Sequence, residues 1–86
     1  MDINYKITQY FNENELFDNN KSNGILIKKN DGSMTIKGNS RDLVEFADLL
    51  VSVAASKEKG SHIHVDNLTL LNTESDFSEI IIEKSN

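Results

Sequence analysis

The chain of 86 residues contains no cysteine, so disulfides and thiol chemistry are closed to it, and the composition agrees with a reducing compartment. Glycine is scarce as well: the four present form no glycine-rich phosphate loop, and no serine stands in the spacing of a nucleophile elbow. Basic residues are the minority, 9 against 14 acidic ones for a net charge of −5. That balance repels nucleic acid and anionic lipid and favours a basic or neutral partner. Tyr5, Tyr10, Phe11 and Phe17 sit in an acidic stretch instead of alternating with lysine or arginine, which argues against a stacking platform for single strands. Long apolar runs are missing too, and the first residues have neither the basic start nor the apolar stretch of a secretory signal. The expectation is a cytoplasmic, non-enzymatic protein with no nucleic-acid and no membrane partner.

What is present fits one α+β domain over 1–86 with a single modest core. Charge is uneven: residues 1–20 and those from Gly60 onward are acidic, whereas Lys21, Lys28, Lys29 and Lys37 make residues 21–38 basic. Ile3, Tyr5 and Ile7 alternate with Asn4, Lys6 and Thr8, which predicts a half-buried strand. Residues 12–23, rich in asparagine and acidic side chains, predict a loop pinned by Leu16 and Phe17. Around Asp31-Gly32 the sequence predicts a hairpin with a two-residue type I′ turn. This register pairs Ile27 with Ile36 and Lys29 with Met34, and collects Ile25, Ile27, Met34 and Ile36 on one face; a slip of one residue would mix the faces.

Asn39-Ser40 supplies an N-cap, Asp42 places a carboxylate in the first turn, and Gly60 is a stop, predicting a helix over 41 to about 59. Leu43, Phe46, Ala47, Leu50, Val53 and Ala54 form its apolar stripe, with Val44 and Val51 broadening it. Then Gly60-Ser61-His62-Ile63-His64-Val65-Asp66 alternates polar and apolar residues, so that His62, His64 and Asp66 share one strand face and Ile63 and Val65 the other. Ile80-Ile81-Ile82 predicts a last strand, Ile80 and Ile82 inward and Glu79, Ile81 and Glu83 outward. The expected fold is therefore a mostly antiparallel sheet of about five strands, with one long helix packed on one face. The other face, carrying His62, His64, Asp66, Lys28, Lys37 and Ile81, is left open to a partner.

From about Gly38 to Lys84 the chain resembles the immunity protein 32 family of bacterial polymorphic toxin systems. The resemblance is carried by Gly38-Asn39 before a helix with Leu43, Phe46-Ala47, Leu49-Leu50 and Ala54, by the segment from Gly60 to Asp66, by Leu71, and by Glu79-Ile80-Ile81-Ile82-Glu83-Lys84. Family members place a Gly-Ser before the closing strand, where this chain has Glu74-Ser75-Asp76-Phe77-Ser78. The first 24 residues lie outside the match. The resemblance implies a small α+β protein that binds a cognate protein toxin and neutralises it by occlusion, with no catalytic residue and no cofactor. The partner-binding residues expected on the open face are His62, His64, Asp66 and Ile81.

The competing class is a small metal-binding or other interaction module. Two histidines at i and i+2 on a strand are spaced to share one Zn²⁺ with Asp66 or Glu79 as a third ligand. With no cysteine pair and no further histidine, the reading adopted assigns no metal. A third reading has the histidines bond to backbone or carboxylate and brace the helix-to-strand corner. The exposed edges of such a sheet also leave a homodimer open.

Overall fold

The computed structural model describes residues 3–17 and 22–86, and of residues 3–5 the backbone alone. The chain runs α1 (Ile3–Glu13), β1 (Leu26–Asn30), β2 (Ser33–Lys37), α2 (Ser40–Ala55), β3 (His62–Asp66) and β4 (Glu79–Glu83). The expected sheet of about five strands under one helix is not formed. Two helices accompany two separate two-stranded antiparallel sheets, β1–β2 and β3–β4.

Two local outcomes cause this difference. The segment expected to be the first strand is helical, because Ile3, Ile7, Tyr10 and Phe11 also recur at three- and four-residue steps, and over 11 residues that period outweighs a short alternation. The helix ends in a Schellman arrangement: Leu16 N–H donates to Phe11 O at 2.9 Å, Glu15 N–H to Asn12 O at 3.2 Å, and Glu15 takes φ +53°. Phe17, expected to pin the loop, stacks on Phe11 at 5.2 Å and lies under the Arg41 guanidinium at 4.6 Å. Leu16 is largely exposed, and residues 18–21 of that loop lie outside the described residues.

The second outcome concerns the long connection from β3 to β4, which runs beside β1 without becoming a strand. Ile25 N–H donates to Leu70 O at 2.7 Å and Asn72 N–H to Ile25 O at 2.8 Å, giving one parallel bridge, Ile25 to Leu71. Beyond it side chains replace backbone. Ser75 Oγ accepts from Ile27 N–H at 2.9 Å, the Asp76 carboxylate accepts from Lys29 N–H at 2.6 Å, and Asp76 N–H donates to Ile27 O at 2.8 Å. A serine and an aspartate thus satisfy the edge groups that a further strand would have paired.

The predicted hairpin register holds, with Ile27 opposite Ile36 and Lys29 opposite Met34. Its turn is different in kind: Gly32 has φ +71° while Asp31 is not in the positive region, so a type I′ turn, which needs both, is not made. Burial also departs from expectation. Ile25 and Ile27 are fully buried, but Met34 and Ile36, on the same face, remain 56% and 39% exposed. They extend past the cover that the rest of the chain provides.

In α2 the N-cap is Asn39, whose side chain accepts from Asp42 N–H at 2.9 Å. The helix stops at Ala55, short of the predicted end; Gly60, at φ +74°, belongs to the turn that follows. Lys84 closes the helix instead, its Nζ donating to Ala54 O at 3.1 Å and Ser56 O at 2.8 Å, where the dipole favours a cation. The expected stripe is divided. Phe46, joined by Leu49 from outside that stripe, packs on the core of Ile25, Ile27, Val65, Leu70 and Leu71, while Leu43, Val44 and Ala47 line a depression shared with Ile7 and Phe11 of α1. Val44 and Val53 are buried, whereas Leu43, Leu50 and Ala54, expected in the buried stripe, are exposed.

Asp42 has a structural task that its place in the first turn does not reveal. Fully buried, its carboxylate accepts from Ser22 Oγ, from Asn23 N–H at 3.1 Å and from Gly24 N–H at 3.2 Å. It thereby holds the chain entering β1 against the start of α2. Gly24 takes φ +81°, and a Cβ there would meet Leu70 O at 2.6 Å, so this corner requires glycine.

Candidate functional site

The second hairpin brings both histidines to its outward face. Strands β3 and β4 pair His62 with Glu83, Ile63 with Ile82, His64 with Ile81, Val65 with Ile80 and Asp66 with Glu79. Val65 is buried, and Ile63, Ile80 and Ile82 are packed against the core. Strict alternation therefore turns His62, His64, Glu79, Ile81 and Glu83 outward, and all are exposed. All four expected partner-binding residues share this face: His62, His64 and Ile81 are exposed on it, and Asp66, opposite Glu79, is half-buried.

His64 stands directly opposite Ile81, which is 56% exposed. Diagonally, His64 Nδ1 lies 3.2 Å from Glu79 Oε2, both side chains about half exposed. Such an exposed contact orients the ring more than it stabilises the fold, since surface pairs contribute on the order of 0–1 kcal/mol. The rings of His62 and His64 meet edge to face at 5.2 Å, and His62 Nδ1 approaches Gly60 O at 3.3 Å. An exposed aliphatic side chain thus stands next to two imidazoles and is rimmed by Glu79 and Glu83.

Asp66 is placed on the same strand but turned to a local use. Its carboxylate accepts from Leu68 N–H at 3.0 Å and from Thr69 Oγ1 at 3.3 Å. Its backbone oxygen accepts from Leu71 N–H at 3.0 Å. Asp66 closes the turn that sends the chain toward β1. Lys28 and Lys37, expected on the same open face, belong to the other sheet, and Lys28 donates to Glu74 O at 2.6 Å. The alternation of Glu79, Ile81 and Glu83 was the signal that placed the acidic rim beside the histidines; nothing comparable foretold Ser75, Asp76 or Lys84.

Among the described residues, no group of three or more His, Cys, Asp or Glu side chains is arranged to hold a metal ion. Three open depressions of about 350, 380 and 300 Å³ lie elsewhere, and none is lined by a histidine. Among the described residues no helix is long and apolar enough to cross a membrane. No family model, no curated protein and no solved structure matches this chain.

Proposed function

We propose that this chain is a non-catalytic binding protein that neutralises a cognate bacterial toxin in the cytoplasm, and that the outward face of β3–β4 carries the contact. The observation that carries the reading is the juxtaposition of His64 with exposed Ile81 inside an acidic rim, on strands whose opposite side is fixed to the core. The resemblance over residues 38–84 supplies the toxin; the net charge of −5 supplies electrostatic steering toward a basic partner. Occlusion asks for no catalytic group and no cofactor. It asks for a central anchor, and Ile81 with His64 is the apolar and aromatic cluster this face offers.

The test is co-expression with the toxin encoded beside this gene. Cells carrying that toxin should survive with the intact chain and die without it, while an unrelated toxin should kill in both cases. Absence of rescue from every neighbouring toxin removes the toxin reading.

A further inference from the structure

We propose that two copies of this chain associate through β2, antiparallel and about a twofold axis at Thr35, to make a continuous four-stranded sheet. The inference starts from hydrogen-bond parity. In β1, Ile27 N–H donates to Ser75 Oγ and Lys29 N–H to the Asp76 carboxylate, so the backbone groups of these residues point away from β2. The residues opposite them, Ile36 and Met34, must then direct their own N–H and C=O groups away from β1, because paired positions in an antiparallel ladder alternate together. Strand β2 is thus an edge, and all five of its residues are exposed. No proline interrupts it and no charge stands within it; Lys37 is at its end. Such edges receive a further strand readily.

The sequence of β2 selects a second copy as that strand. Pairing centred on Thr35 sets each Met34 opposite Ile36 of the other copy, so that the outward backbone groups of both residues bond across the interface and the two exposed apolar side chains cover each other. Thr35 meets Thr35, and Lys37 meets Ser33, so no like charges stand opposite one another. Moving the register by two residues in either direction pairs Met34 or Ile36 with itself and sets the other against Gly32 or Gly38, which have no side chain to offer. Of these three symmetric registers, only the one centred on Thr35 gives every Met34 and Ile36 an apolar partner, and its symmetry is the isologous kind that closes a dimer. Met34 and Ile36 share a face with Ile25 and Ile27, so pairing extends the apolar surface that a single copy leaves unfinished.

Sedimentation equilibrium of the intact chain, in about 0.15 M salt to limit repulsion between the two acidic copies, should show a reversible monomer–dimer equilibrium. Met34→Lys with Ile36→Lys replaces each cross-pair by two like charges at positions already exposed, and should weaken association by about tenfold or more while circular dichroism is unchanged. Should that variant fail to fold, amide exchange of the intact chain decides. The Met34 and Ile36 amides should exchange more slowly as protein concentration rises, while the Thr35 amide, bonded to β1, should not respond. A chain that stays monomeric, a dimer that survives the double substitution, or concentration-independent exchange at Met34 and Ile36 would overturn the proposal.

Discussion

Hairpins β1–β2 and β3–β4 each pair five residues with five, yet alternation describes burial in the second and misjudges it in the first. In β3–β4 the inward side chains pack against the core and the outward ones are exposed. In β1–β2 the apolar set shares a face as expected, but only the half on β1 is buried. The difference lies in what each hairpin has beside it. Strand β1 is flanked on both edges, by β2 and by the segment 70–76, whereas β2 has a neighbour on one side. Periodicity specifies which side chains travel together; the number of neighbouring elements decides whether they are covered. The first hairpin accordingly anchors the fold through β1, and the second leaves its outward side chains exposed.

That contrast can be broken from its strong end. Ile27→Ala, at the one buried position of β1, should lower unfolding stability by about 3 kcal/mol, read from denaturant midpoints. A loss under about 1 kcal/mol would mean that β1 is not the anchor. Asp42→Ala should cost about 2 kcal/mol, because the N–H groups of Asn23 and Gly24 and the Ser22 hydroxyl lose their acceptor. The same urea series applied to Ser75→Ala should show a loss of about 1 kcal/mol. In that variant the Ile27 amide should also exchange faster, since its acceptor is removed. At the weak end, Glu15→Gly should raise the melting temperature slightly, by about 0.5–1 kcal/mol of stability, because a β-carbon is disfavoured in the left-handed conformation Glu15 adopts.

Much of the chain from β1 onward was legible, for a physical reason. Asn39 as N-cap, the Ile27–Ile36 register, the inward Ile63 and Val65, and the outward His62, His64 and Ile81 all follow from period and capping, which are local. The first strand was misread because Ile3, Tyr5 and Ile7 satisfy a two-residue period over too short a span to defeat the helical period that includes Tyr10 and Phe11. The type I′ turn was misread because Asp31-Gly32 is compatible with more than one turn, and only Gly32 uses positive φ. The five-strand sheet failed because the expected first strand is helical and because residues 70–76 take the free edge of β1, largely through Ser75 and Asp76, so that β1–β2 and β3–β4 do not join. Side-chain substitution for a strand leaves no periodic trace. Asp42 was legible as a first-turn carboxylate but not as the acceptor for residues 22–24, which depends on a contact between distant parts of the chain.

The central claim is that the outward face of β3–β4 serves a partner and is dispensable to the fold. The most direct measurement is toxin co-expression with the double variant His64→Asp, Ile81→Asp, paired with thermal melting of the same purified protein. Stability should stay within about 1 kcal/mol of the parent, since both side chains are exposed, while protection by an otherwise protective chain is lost. Survival of cells carrying the folded double variant would contradict the claim and move the interface off this face.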